Sequence, residues 1–304
     1  MTSYLARRAL QAVVVVLLVT LIVFGLIRLA PGGASASLLG AGSAHQQFLA
    51  EYLTWLGRVL HGNLGRSARL NETVGAVLAT SLPRTLVLTG FSTLIALVIA
   101  IPAGLVQAVR RNSAVDNGLR ALTYLCYGTP AFVLGAVLIL FLAVDHHIFG
   151  AEGPQAAGIV GVITDVRDLT LPVLTLALGT VAIFARYMRA SALDSLAQEY
   201  VEAARARGAG QRRVLGAHVL RNSLVPVVTL LGLSFPQIVG GALVVESLFN
   251  FPGMGWQIWQ AATNHDFSVT LGFTLVIGVA AAVGSLLADI CYAALDPRVR
   301  QARL

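Results

Sequence analysis

Between Glu199 and Asn222 the chain reads EYVEAARARGAGQRRVLGAHVLRN, with five arginines, two glutamates and glycines at 208 and 210 in an otherwise apolar sequence. The chemistry open to such a segment is charge pairing across an interface. Glu199, Glu202 and Arg205 supply the charges, and Ala203 and Ala204 are small enough to let another backbone come close. Other chemistries find less support. All 21 basic residues are arginine, so no lysine is available to reach a nucleotide phosphate from a Walker A loop or to form a Schiff base. Cys126 and Cys291 fall inside apolar runs, where free cysteine behaves as a small hydrophobe. No Cys-x-x-Cys or His-x-x-x-His spacing occurs. His146 and His147 are adjacent and would point to different faces of one helix, so they read as loop residues.

The elements that must position this segment are membrane helices. The chain has 304 residues, 57% of them hydrophobic and 12% charged, with a mean hydropathy of +0.79. Soluble domains carry roughly 25% charged residues. Apolar runs at 9–29, 85–109, 119–144, 169–187, 224–245 and 269–294 approach or exceed the ~20 residues that span a bilayer. The first run is followed by Arg28-Leu29-Ala30-Pro31-Gly32-Gly33 with no small-residue cleavage site, so it reads as a retained anchor. Six helices put both termini on one side. With that side cytoplasmic, 15 of the 21 arginines lie inside and six (Arg28, Arg58, Arg66, Arg69, Arg84 and Arg167) outside, as the positive-inside rule requires. The net charge of +7 thus belongs to the cytoplasmic loops of a membrane protein and does not call for nucleic acid.

The expected organisation is an N-terminal anchor at 1–30, an extracytoplasmic segment at 31–83, a five-helix core at 75–295 with a cytoplasmic loop at 190–222, and a cytoplasmic tail at 296–304. The outer segment holds Phe48, Leu49, Tyr52, Leu53, Leu56, Val59 and Leu60 at helical spacing, an amphipathic helix for the membrane surface or for a partner. Pro102, Gly128-Thr129-Pro130, Pro172, Pro226, Pro236 and Gly240-Gly241 interrupt the spans. A proline in a helix frees a carbonyl, which in lipid needs a partner on a neighbouring helix or a wet cavity. The polar groups Tyr127, Thr129, Ser234 and Gln237 in these kinked spans are candidates for the lining of a path or for interhelical hydrogen bonds. Ionisable groups deep in the spans are nearly absent. Asp289 and Arg186 sit near the cytoplasmic ends, within snorkelling distance, which speaks against a proton-coupled carrier.

Within the charged segment, Leu196, Tyr200, Val201 and Ala204 recur at helical spacing, Gly208 and Gly210 break the helix, and Val214, Leu215, Val219 and Leu220 begin another. A helix this short needs something to pack against, either the membrane surface or a cytoplasmic subunit.

Glu202-Ala203-Ala204, three residues and Gly208 resemble the EAA loop of ABC importer permeases. The later His218-x-Leu220-x-Asn222-x-x-x-Pro226 resembles the peptide permease branch. Arg7-Arg8, Gln11, Phe24, Arg28-Leu29 and Pro31-Gly32 look like the start of the B-type subunit of dipeptide and oligopeptide permeases. Glu246-Ser247-Leu248-Phe249, Pro252-Gly253-Met254-Gly255, Asp266-Phe267 and Leu295-Asp296-Pro297-Arg298-Val299-Arg300 extend the resemblance over nearly the whole chain. The stretch after Leu39-Gly40 departs from it, lacking an acidic, proline-containing insertion before Tyr52.

The resemblance implies an all-α integral membrane protein with the six transmembrane helices of a type I ABC importer permease, without an enzymatic site or a cofactor of its own. It implies a second, C-type permease subunit, two ATP-binding subunits or domains that hold ATP and Mg²⁺, and an extracytoplasmic substrate-binding protein, in a bacterial inner membrane. Glu199, Glu202, Ala203, Ala204, Arg205 and Gly208 would then form the coupling helix that inserts into a groove of the ATPase. Peptides are the implied cargo, with nickel or another small ligand as the alternative on the same architecture. A secondary carrier or channel would need mid-membrane charges or half-helices. A membrane enzyme would need a nucleophile and base at matching depth.

Overall fold

The computed structural model describes residues 2–29, 44–156, 158–240 and 242–295. Among them are thirteen helices and no strand. These are α1 (Thr2–Leu29), α2 (Ala44–Leu60), α3 (Val74–Val109), α4 (Ala114–Gly128), α5 (Ala131–Asp145), α6 (Gly158–Thr164), α7 (Val166–Leu196), α8 (Glu199–Ala206), α9 (Gln211–Leu233), α10 (Phe235–Gly240), α11 (Leu243–Leu248), α12 (Met254–Thr263) and α13 (Phe267–Leu295). Helices α3, α7, α9 and α13 are each long and apolar enough to cross a membrane, and α4 with α5 forms an apolar pair bent by 105°, the shape of a broken span or of a re-entrant loop. The shorter apolar stretch Val13–Ile27 lies within α1, which packs along α13. The tail at 296–304 and the stretch after Leu39-Gly40 lie outside the described residues.

The bundle is built on α3 against α7. Gly104 makes their closest approach possible: a Cβ there would stand 2.7 Å from Met188 Cβ and 2.8 Å from the Ala185 carbonyl oxygen. Pro83 and Pro102 in α3, Pro172 in α7 and Pro226 in α9 are all accommodated inside continuous helices. The expected third run is indeed interrupted at Gly128-Thr129-Pro130, where Pro130 lacks the N–H needed to continue α4 and instead occupies the N-cap of α5. The fifth run is not one helix. It ends at Leu233 and resumes as α10 and α11, because Pro236 cannot extend the hydrogen-bond ladder. Two π-helical turns, Ile139–Asp145 in α5 and Val214–Leu220 in α9, add local slack that no sequence period announced.

Outside the spans, α2 buries Tyr52 and Trp55 against Phe24 of α1 and Leu271 of α13, while Leu49, Leu53 and Leu60 remain exposed. Of the apolar set at helical spacing, Tyr52, Leu56 and Val59 face this cluster, and Leu49, Leu53 and Leu60 make a second apolar edge facing outward. His147 takes a left-handed backbone in the loop after α5, consistent with the loop reading of the histidine pair.

Candidate coupling surface and membrane cavity

Helix α8 follows α7 after two residues and stops at a glycine turn. Gly208 has φ +82°, its N–H donates to Arg205 O at 2.9 Å, and Ala209 N–H donates to Ala204 O at 3.0 Å. This pair of bonds is a Schellman cap, which requires a left-handed residue at that position. The helix then splits its residues between two faces. Val201 and Ala204 are buried in a cluster with Ala108 of α3, Met188 and Ala192 of α7, and Val214, Val219 and Val227 of α9. Glu199, Glu202, Ala203 and Arg205 are exposed on the other side. Ala204 therefore lies with Val201 on the attached face of α8, the two standing at the helical spacing read from the sequence, and Ala203 lies on the free face. This division follows from the 100° step that separates adjacent helical residues.

The attachment is polar as well as apolar. Asn222 Nδ2 donates to the Tyr200 hydroxyl at 2.9 Å, and Ser223 Oγ donates to Ser195 Oγ at 3.1 Å. Glu199 and Glu202 lie in the first turn, where negative charge complements the helix dipole, and Arg205 lies in the last. Nearby, the guanidinium of Arg189 on α7 holds the fully buried Asp116 of α4 through two bonds, Nε to Oδ1 at 3.0 Å and Nη2 to Oδ2 at 2.9 Å. Asn112 N–H adds a third donor to that carboxylate at 2.9 Å. The turn between α3 and α4 is thereby clamped to α7 beside the base of α8.

Of the four expected path residues, the structure brings two together. Ser234 and Gln237 line a cavity of about 320 Å³ between α3, α7 and the break after α9, with Thr93 and Thr180 opposite and Leu176 and Ile183 as apolar wall. Ser234 and Thr180 donate to carbonyls of their own helices at 2.9 and 2.8 Å, which leaves hydroxyl lone pairs free to accept. The exposed Gln237 amide makes no side-chain hydrogen bond among the described residues and offers both donor and acceptor. Tyr127 and Thr129 lie elsewhere. Tyr127 is exposed on α4 with Arg186 stacked 4.3 Å above its ring, and Thr129 Oγ1 donates to Leu125 O at 2.7 Å.

Sequence reasoning missed the buried polar knot around Glu246. This carboxylate is fully buried, accepting from Thr85 Oγ1 at 2.9 Å and from Trp256 N–H at 2.9 Å, while Thr85 Oγ1 accepts from Met254 N–H at 2.7 Å. Gly253 permits the packing, since a Cβ there would lie 2.5 Å from Thr85 Oγ1. A second knot joins Asp266 at the start of α13 to the hydroxyl of Ser67, which in turn accepts from Leu70 N–H at 2.9 Å. The signal was present, because both acids stand in the stretches that carry the family resemblance.

Residues 100–301 match the family of binding-protein-dependent transport system inner membrane components. The chain belongs to this family. A Brucella suis biovar 1 protein named as a peptide permease is 37% identical over 322 residues, covering 99% of each chain. The oligopeptide transport system permease protein AppB of Bacillus subtilis is 35% identical over 314 residues, covering 98% of this chain and 99% of its own. Among solved structures, a chain of the MetNI methionine ABC transporter in an inward-facing conformation superimposes with a TM-score of 0.58 at 20% identity, over 72% of this chain and 96% of that one. This permease is therefore an all-α membrane subunit with the fold of ABC importers. Among its described residues, no cluster of His, Cys, Asp and Glu could hold a metal ion.

Proposed function

We propose that this permease is the transmembrane subunit of an ATP-driven peptide importer of a bacterial inner membrane, coupled to separate ATPase subunits through α8. The observation that carries the reading is the division of α8. Its buried face anchors it to α3, α7 and α9, and its free face presents two acids, an arginine and a small residue at the end of the bundle. A helix of two turns does not stand alone in water, and what holds this one leaves Glu199, Glu202, Ala203 and Arg205 for a partner. A push on that face reaches the spans through Val201 and Ala204.

In this reading six spans cross the membrane, α1 being the first, with both termini in the cytoplasm. A second, homologous permease of the C type completes the path. Two ATP-binding subunits or domains hold ATP and Mg²⁺, and an extracytoplasmic binding protein delivers the substrate. ATP-driven closure of the ATPases shifts the population between inward-open and outward-open bundles, and the breaks at Thr129-Pro130 and after Leu233 absorb the movement. Ser234 and Gln237 contribute to the path, where free lone pairs and an unpaired amide match the donors and acceptors of a peptide backbone. The names of the relatives support peptide as cargo.

The test is reconstitution of this chain with its second permease, ATPase subunits and binding protein in proteoliposomes. Labelled peptide should accumulate only when ATP and binding protein are both supplied. Accumulation without the ATPase subunits would sink the coupled mechanism, and uptake of nickel but not of peptide would reassign the cargo.

A further inference from the structure

At the same end of the bundle as α8, the C-terminal part of α3, the first turns of α4 and the late part of α7 enclose a cleft of about 230 Å³. Arg120, Arg186 and Arg189 all line it. Among the described residues only Arg189 has a carboxylate in contact, Asp116, so three guanidinium groups against one carboxylate leave an excess of two positive charges. Arg186 stacks on the ring of Tyr127 and makes no hydrogen bond or ion pair among the described residues, and Arg120 Nη2 donates to the neutral Asn117 at 2.9 Å. Two further donors in the wall have no acceptor among the described residues: Gln107 Nε2, on a side chain that is 2% exposed, and Arg120 Nε. Buried N–H groups without partners are rare and costly in native proteins, and here two of them share one cleft with uncompensated positive charge.

We propose that this cleft is a binding site for a phosphate group. Guanidinium groups recognise phosphate oxygens through paired N–H donors, and phosphate oxygens would also satisfy Gln107 Nε2 and Arg120 Nε. Tyr124 in the wall of the cleft and Tyr127 on the same face of α4 are 59% and 54% exposed, aromatic rings of the kind that sit at the headgroup level of a bilayer. The source this favours is the headgroup of an anionic phospholipid in the leaflet on the side of α8, which is the cytoplasmic one in the orientation proposed above. The assignment of a phosphate site is independent of that orientation and of the cargo. Arg189 is left out of the test variants because its pair with Asp116 is structural.

The experiment uses the assembled transporter in detergent, titrated with phosphatidylglycerol and read by native mass spectrometry, for the wild type and for Arg120→Gln, Arg186→Gln and the double variant. One tightly held lipid per copy of this chain is expected. Affinity should fall about fivefold for each single variant and about thirtyfold for the double one. Arg120→Lys/Arg186→Lys should retain most of it. A second arm places the complex in zwitterionic phosphatidylcholine and compares its melting temperature with inorganic phosphate or with chloride at matched ionic strength. Stabilisation by phosphate that the double Gln variant loses, with no lipid held, upholds the site and assigns it to free phosphate. Should the double variant not assemble, Gln107→Leu removes the unpaired amide and leaves all three arginines, and it should lower affinity in the same assays. Equal lipid and phosphate responses in wild type and variants would overturn the proposal. So would loss of the ATPase subunit from the Gln variants without any change in lipid or phosphate binding, which would mean that an acidic protein segment fills the cleft.

Discussion

Replacing Gly208 separates backbone geometry from side-chain bulk, because a Cβ at this position would meet nothing within 4 Å. Any cost must come from φ +82° alone. An ordinary L residue held in the left-handed region loses about 1–2 kcal/mol, β-branched residues more, while asparagine is tolerated there. The cap has two bonds to lose, Ala209 N–H to Ala204 O and Gly208 N–H to Arg205 O. Val201 and Ala204 keep the body of α8 anchored, so the strain is relieved by opening the turn and tilting the free face. If docking needs that face in place, a strain of 1–2 kcal/mol becomes a loss of about five- to thirtyfold in ATPase binding. The expected order is Gly208→Asn near wild type, Gly208→Ala intermediate and Gly208→Val worst, all at normal membrane abundance. The assay is copurification of the ATPase subunits from solubilised membranes. Equal recovery with the Val and Asn variants would refute the reasoning.

Three other predictions concern the clamp, the knot and the cavity. Asp116→Ala removes three hydrogen bonds from charged or backbone donors and strands Arg189. It should destabilise by about 2–3 kcal/mol, seen as a lowered melting temperature, and Asp116→Ala/Arg189→Met should recover much of it. Glu246→Leu leaves the Thr85 hydroxyl and the Trp256 N–H without their acceptor at about 1–3 kcal/mol each, and Thr85→Val on top of it should cost less than the sum. Additive losses in thermal stability would break the knot as a unit. In a background lacking Cys126 and Cys291, cysteines at Ser234 and Gln237 should react with small aqueous thiol reagents and be protected by substrate. A Thr129 cysteine should show no such protection.

How much could be read from sequence depended on whether the determining contact was local. The apolar runs, the breaks at Thr129-Pro130 and beside Pro236 and the glycine stop of α8 are local, whereas Pro102, Pro172 and Pro226, also read as interruptions, sit inside continuous helices. The local features were legible because period, missing N–H and left-handed φ act on neighbouring residues. The split of α8 into an anchored and a free face follows from the helical step and put Val201 and Ala204 together, whereas the partners of the anchored face, Met188, Ala192 and Val219, are set by the fold. Glu246 pairs with Thr85 across 161 residues, Asp266 with Ser67 across 199 and Arg189 with Asp116 across 73. No periodicity reports partners at such distances. The same limit separated the four expected path residues: Ser234 and Gln237 flank one helix break and share a cavity, whereas the bend after Gly128 leaves Tyr127 and Thr129 outside it.

The central claim is that the free face of α8 touches the ATPase. Photo-crosslinking amino acids placed singly at Ala203 and Ala204 in the intact complex test it most directly, since the two positions are adjacent in sequence and opposite in surroundings. From Ala203 the account predicts a covalent product with the ATPase subunit. From Ala204 it predicts products only within this chain, to α7 or α9. An Ala203 probe that reacts with lipid alone, in complexes where the ATPase is bound, would contradict it.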